Sequence, residues 1–312
     1  MRRSEAKPSR AAVEAPGSGS NVTVPSNFEA ARAVVGFAFA ESLRRRVFAV
    51  VLALTLVFLA LFGIGVAIAF DTVGDEGLIG GRLVNEQTLV GSTVFGLAMF
   101  ATLFLGAVLA VFLTVGVVRG DAETGLLQPL VVRPLGRGTM LVARWAGAAV
   151  AAAIYALVVY AACLALTAAF GDWTPDHAIL PGLLLAAAVV VVAAISTLAS
   201  VHLASTAQGI AVFMVFGAGL VAGLLGQIGD AIASNTLQRI SELATYALPF
   251  EALYQQGLFL LTSNQHGLTD VVVQLGPFGG AEESGPGIAA WVIVYTVAMV
   301  ALAVAGFKRR DL

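Results

Sequence analysis

Side chains able to do covalent or metal chemistry are few in this sequence and lie far apart. The two lysines, Lys7 and Lys308, do not follow the glycine frame of a G-x-x-x-x-G-K-[ST] phosphate-binding loop, so the sequence predicts that this chain hydrolyses no nucleotide. Its three histidines lie in different segments without an H-E-x-x-H pair, and no G-x-S-x-G elbow is present. The sequence therefore predicts no catalytic residue, no metal site and no cofactor bound by this chain. Cys163, the single cysteine, lies in an apolar run and is expected to be a buried, inert thiol.

The composition points to a lipid environment. Charged residues make up 12% of the 312 residues and hydrophobic residues 59%, with a net charge of -2. Soluble domains carry about 25% charged residues. These values argue against a disordered chain, an ordinary soluble enzyme and a protein that binds nucleic acid through basic patches.

Six stretches lack any charged residue and are long enough to cross a bilayer, which takes about 20 helical residues. They span residues 47–70, 92–118, 145–170, 179–204, 209–229 and 288–307. Because these are continuous apolar runs and not short alternating segments, they predict helices and exclude a barrel. The predicted fold class is an all-α membrane protein with six transmembrane helices.

The positions of the basic residues predict the orientation. All 17 Lys and Arg residues except Arg82 and Arg239 lie before the first span, between spans two and three, or after span six. The positive-inside rule then places both termini in the cytoplasm. We expect a multi-pass protein of a prokaryotic inner or plasma membrane, in contact with lipid.

The segment before the first span divides into two parts. Residues 1–26 are rich in Pro, Gly, Ser and charge and are expected to be a disordered cytoplasmic tail, leaving residues 27–312 as the six-span domain. Residues 27–46 fit an amphipathic helix in the inner interface, and a cytoplasmic extension of span one is the alternative. The apolar face of this helix includes Phe28, Val35, Phe39 and Leu43.

The longest outer segment, residues 230–287, contains two helical patterns separated by Pro249. We expect outer helices over residues 235–248 and 250–261 that cap the outer ends of the spans. Candidate residues there are Leu248, Pro249, Phe250 and Tyr254. In span five, Gly219 and Gly223 have the G-x-x-x-G spacing that permits close helix packing, within the chain or between chains.

The loop between spans two and three and the start of span three contain three notable runs: Glu123-Thr124-Gly125-Leu126-Leu127, Arg133-Pro134-Leu135-Gly136-Arg137 and Arg144-Trp145-Ala146-Gly147. Together they resemble the membrane subunits of type-two ABC transporters, the exporter-like permeases. The family commonly has Ser where Gly136 stands and Gly-Lys where Ala143-Arg144 stands. The motif from Leu248 to Tyr254 is also similar to that family, nearest the subgroup of permeases for nitrous oxide reductase maturation. The resemblance covers about residues 27–312.

The resemblance implies a partner and a coupling element. In such permeases this loop docks on a cytoplasmic ABC ATPase, which binds ATP and Mg²⁺, and the permease works as a dimer of identical or different chains. The residues implied in coupling are Glu123, Gly125, Leu126, Leu127, Arg133, Pro134 and Arg137. The alternative is an ordinary basic inner loop that only satisfies the positive-inside rule.

The predicted function is that of an ABC permease subunit that couples ATP hydrolysis by its partner to export of a substrate. The alternative is an ion-coupled secondary transporter or channel that needs no ATPase. It is disfavoured because no Asp, Glu, Lys or Arg interrupts the six spans. A membrane-embedded enzyme would need a polar constellation, and the acidic cluster of the first outer loop (Asp71, Asp75, Glu76, Glu86) is better explained by solvation.

Overall fold

The computed structural model describes residues 46–71, 77–79, 82–84, 86–115, 137–261, 285 and 287–309 of the chain. The tail, the predicted interfacial helix and the loop between spans two and three lie outside these residues. Six of the described helices are long and apolar enough to cross a membrane, with mean hydropathies from 2.2 to 2.8.

The described residues form eight helices and one short hairpin. The helices are α1 (Arg46–Asp71), α2 (Glu86–Thr114), α3 (Arg137–Gly171), α4 (Leu180–His202), α5 (Ser205–Ala231), α6 (Asn235–Ala247), α7 (Pro249–Phe259) and α8 (Ile288–Lys308). The strands are β1 (Gly77–Ile79) and β2 (Arg82–Val84), paired antiparallel with Ile79 opposite Arg82. The spanning helices are thus α1 to α5 and α8, and the six-helix prediction is confirmed. The two three-residue strands are a small addition to the expected all-helical fold.

Helices α2, α3 and α4 form the centre of the bundle. Their facing positions carry small residues, so the backbones approach closely. A methyl group added at Gly106 of α2 would lie 2.7 Å from Val189 of α4, and one at Gly182 of α4 would lie 2.7 Å from the ring of Tyr160 on α3. Close packing of this kind holds membrane helices together where water gives no driving force.

Helices α1 and α8 lie at the periphery and expose many large apolar side chains, as expected for helices that face lipid. Helix α8 packs on the start of α3, where a methyl group at Gly138 would lie 3.1 Å from Lys308 Cε. The end of α8 also meets the end of α4, where a methyl group at Gly306 would lie 3.1 Å from His202, and Thr114 at the end of α2 bonds to Ser196 of α4. Helix α1 runs parallel to α3, because Phe70 near its end contacts Gly171 at the end of α3. The starts of α1 and α3 and the ends of α2, α4 and α8 therefore lie at one end of the bundle. This end, which holds Arg46, Arg137 and Lys308, is called the basic end below.

Helix α7 inserts among the spans, whereas α6 packs along α5 without a buried side chain; the sequence predicts that both helices cap the outer ends of the spans. Phe250 at the start of α7 stacks on Phe216 of α5, with ring centroids 5.3 Å apart. Phe216 lies about 16 Å along the α5 axis from Ser205, at about 1.5 Å per residue, which is near the middle of that span. The turn between α6 and α7 thus reaches about half-way into the bundle.

Candidate functional site

Most of the predicted coupling residues lie outside the described residues. Helix α2 ends at Thr114 and α3 begins at Arg137, so the segment between them joins these helices at the basic end. Arg137 is the first residue of α3. The other members of that set (Glu123, Gly125, Leu126, Leu127, Arg133, Pro134) and the interfacial set (Phe28, Val35, Phe39, Leu43) are not covered.

A buried group of polar side chains lies where α2 reaches the basic end. Thr114 Oγ1 and Ser196 Oγ of α4 form a hydrogen bond of 2.6 Å. Gln208 of α5 donates from Nε2 to both the carbonyl oxygen and Oγ of Ser196, each at 3.1 Å. All three side chains are at most 1% exposed. This group, called the polar cluster below, joins three spans at one depth.

A cavity of about 710 Å³ lies beside the polar cluster, between the end of α2 and the start of α5. From α2 it is lined by Val111, Phe112 and Val115. From α5 it is lined by Ser205, Thr206, Gly209, Ile210, Phe213 and Met214. The lining is apolar apart from two hydroxyl groups, which suits an apolar or amphipathic occupant.

The two glycines predicted for helix packing both contact the α6–α7 pair. A methyl group at Gly219 would collide with the ring of Phe250, and one at Gly223 would collide with Oε1 of Glu251 and lie 2.8 Å from Gln255 Nε2. The face of α5 that carries these glycines therefore packs against α7 of the same chain.

The four candidate residues of the outer segment lie around the turn of the same pair. Leu248 lies between α6 and α7, and Pro249 is the first residue of α7, where its missing N–H is not needed. The ring of Tyr254 meets Phe100 of α2 edge-on, with centroids 6.3 Å apart. With Phe250 on α5, these contacts pack α7 against α2 and α5, and Gly257 places it beside Pro181 of α4 as well.

Sequence reasoning did not find that α7 also brings a carboxyl group into the bundle. Glu251 and Gln255 are 3% and 5% exposed, and both face Gly223 of α5. The six spans lack central ionisable residues, but the helical pair supplies one from outside them. The sequence carried no clear signal for this, because an acidic residue in the first turn of a helix is common in solvated helices as well.

An aromatic group fixes the opposite end of the central helices. The ring of Phe95 on α2 lies 5.4 Å from that of Tyr160 on α3 and 6.2 Å from that of Trp173. The Tyr160 hydroxyl donates to the carbonyl oxygen of Ala178 at 2.8 Å, just before α4. Gly91 leaves the space that Trp173 occupies. These contacts hold α2, α3 and α4 together far from the basic end.

A model of the family described as ABC-2 family transporter protein matches residues 32–312. The matched range includes all six spanning helices, the α6–α7 pair and the segment between α2 and α3. No curated protein matches the chain at a significant level.

Proposed function

The chain belongs to the ABC-2 transporter family and is the membrane permease of an ABC transporter, and we propose that a separate cytoplasmic ATPase drives it to export its substrate. One observation supports the proposal above all. The family match extends over the whole six-span bundle. Within the family, the motif from Leu248 to Tyr254 favours the subgroup of permeases for nitrous oxide reductase maturation.

The proposed contact with the ATPase is the segment between α2 and α3. It leaves α2 at the basic end, where the positive-inside rule puts the cytoplasm of a prokaryotic cell. Glu123 and Arg133 would make charged contacts with the ATPase, and Pro134 would limit the flexibility of the segment between them. ATP and Mg²⁺ would bind in the partner alone, since this sequence has no phosphate-binding loop.

The proposed cargo is apolar or amphipathic. The spans carry no central charge, and the cavity between α2 and α5 has a largely apolar lining. An interfacial helix over residues 27–46 would lie at the inner leaflet near the basic end and guide such cargo. Two copies of the permease, identical or different, would line the path.

The first prediction tests the coupling contact. The tagged chain, solubilised at low salt, should retain an ATPase that carries a G-x-x-x-x-G-K-[ST] loop. Glu123→Ala and Arg133→Ala should each weaken this retention about tenfold, because a hydrogen bond to a charged group contributes about 1.5–3 kcal/mol. The measurement is ATPase bound per chain, with the ATPase identified by mass spectrometry.

Lys308→Ala is the matched control, because it removes a positive charge from the basic end outside the loop. It should leave ATPase retention unchanged. If the unsubstituted chain retains no ATPase, the proposal fails. If all three variants behave alike, the loop is an ordinary basic loop and the contact lies elsewhere.

Buried Glu251 favours a second candidate, an ion-coupled transporter that works without an ATPase. Ionisable residues within membrane bundles commonly mark ion or proton pathways. Under this candidate the purified chain alone, in liposomes with an internal pH dye, should carry protons, and Glu251→Gln should abolish the flux. The permease proposal expects no flux from the unsubstituted chain alone.

A further inference from the structure

We propose that the polar cluster of Thr114, Ser196 and Gln208 transmits movement of the end of α2 to the start of α5, with Gln208 as the positioning residue of α5. The inference rests on the proposed function, in which the ATPase moves the segment that follows α2. The polar cluster is then the contact through which movement of α2 reaches α4 and α5.

Direct packing does not provide this route at the basic end. The cavity of about 710 Å³ separates Val111, Phe112 and Val115 of α2 from the first turns of α5. The two helices meet farther from the basic end, where Phe104 lies 6.4 Å from Phe213 and 6.2 Å from Phe216 between ring centroids. A displacement of the last turn of α2 would therefore be absorbed by the cavity unless another contact carried it.

The corner between α4 and α5 is stiff enough to receive the displacement. Only residues 203 and 204 separate the two helices. The Leu203 N–H donates to the carbonyl oxygen of Ala199, and the Gln208 N–H donates to that of Ala204, both at 2.8 Å. The side chain of Gln208 then spans the corner with two hydrogen bonds to Ser196. Movement of Ser196 therefore moves the first turn of α5.

Thr114 connects α2 to this corner. It is the last residue of α2, and its hydroxyl bonds to Ser196 Oγ at 2.6 Å. The Thr114 hydroxyl also lies 2.9 Å from the carbonyl oxygens of Ala110 and Val111 in its own helix, so it would keep a partner if α2 moved alone. The buried Ser196 Oγ, however, would lose its bond to Thr114, and the loss of a hydrogen bond at a buried polar group is costly. Movement of α2 together with the corner keeps all three bonds, and it is therefore the less costly motion.

The cluster is also placed to act on the cavity. Gln208 immediately precedes Gly209 and Ile210, which both line the cavity. A shift of the first turn of α5 therefore changes the cavity walls directly. The same movement that the ATPase imposes would in this way reach the site proposed for cargo.

The experiment uses the complex of the full chain with its ATPase in nanodiscs, and vanadate-trapped ATP as the probe. Cys163→Ala removes the native thiol. Spin labels at Val50 of α1 and Phe112 of α2 report movement of α2, and labels at Val50 and Ile210 of α5 report whether α5 follows. All three positions are exposed. Dilution with unlabelled chain restricts the measured distances to one copy.

In the unsubstituted complex, trapped ATP should shift both distances. Thr114→Val keeps the side-chain shape but removes the hydroxyl, and Gln208→Leu removes the amide. Each should leave the Val50–Phe112 shift intact and reduce the Val50–Ile210 shift at least threefold. Thr114→Ser keeps a hydroxyl and should preserve both shifts.

Thr197→Val is the matched control. Thr197 is as buried as its neighbour Ser196, but its hydroxyl bonds to Ala193 of its own helix. It should preserve both shifts. A full Val50–Ile210 shift in Thr114→Val and Gln208→Leu, or an equal loss in Thr197→Val, would overturn the inference while leaving the proposed function intact. If neither distance shifts in the unsubstituted complex, both the inference and the proposed coupling are wrong.

Discussion

Gly223 has no side chain, and Glu251 and Gln255 of α7 occupy the space that one would need. Four residues earlier, Gly219 makes the same allowance for the ring of Phe250. Both glycines lie on the face of α5 that the α6–α7 pair covers. The small residues thus determine how closely α7 approaches α5, and the approach brings two polar side chains into a region without bulk water.

Replacing Gly223 tests this fit. We expect Gly223→Ala to destabilise the purified chain in detergent by about 1–3 kcal/mol, the usual cost of overpacking a tight interior. The methyl group collides with Glu251 and must displace α7 or its side chains. The measurement is the thermal unfolding midpoint of the purified chain.

Gly65→Ala on α1 is the matched control, because nothing lies within 4 Å of a methyl group there and α1 is expected to face lipid. Alanine also favours a helix over glycine by about 1 kcal/mol. The control should therefore be neutral or stabilising. Equal destabilisation by both substitutions would mean that helix flexibility, and not contact with α7, explains the role of Gly223.

At the level of elements, hydropathy located the spans well and their ends less well. The second span was expected to begin at Ser92, but α2 begins at Glu86. The polar first turn remains helical because Gln87 Nε2 donates to the carbonyl oxygen of Gly171 at 3.0 Å. Similarly, α3 begins at Arg137, two turns before the expected start at Trp145. Apolar runs record where lipid lies, whereas helices continue into the polar interface.

The depth of the α6–α7 pair could not be read from the sequence. Helix α6 carries Gln238, Arg239 and Glu242, so the segment resembles a water-exposed one. Periodicity predicted both helices, as the structure confirms. The insertion of α7 depends on a surface formed by glycines of α5, and hydropathy averaged along one segment contains no information about a partner surface.

The polar cluster could not be predicted from the sequence for a related reason. Thr114 and Ser196 are 82 residues apart, and each is a single hydroxyl near the end of an apolar run. Such residues commonly bond back to their own helix, as both Thr114 and Thr197 do. Only the parallel packing of α2 and α4 brings them together. The G-x-x-x-G spacing, in contrast, is visible in the sequence because both glycines lie on one helix.

For the whole molecule, the exposed face of α5 is the most informative surface. Met214 is 69% exposed, and Gly217 has open space beside it. Lipid covers exposed apolar side chains adequately, as it does on α1. A glycine on the surface of a membrane helix, however, lets a second helix approach its backbone closely, and this contact stabilises the helix more than contact with lipid does. The cavity between α2 and α5 opens beside this face, so a second copy placed there would close the cavity.

This arrangement predicts where two copies cross-link. In a Cys163→Ala background, Met214→Cys should give an oxidative dimer in native membranes, because α5 of each copy would face the other across the proposed path. Leu61→Cys on α1 is the matched control, since Leu61 is 64% exposed but lies on a helix expected to face lipid. The measurement is the dimer fraction on a non-reducing gel. A dimer through Leu61 and none through Met214 would place α1 at the interface, and the cavity between α2 and α5 would then open to lipid and not to a shared path.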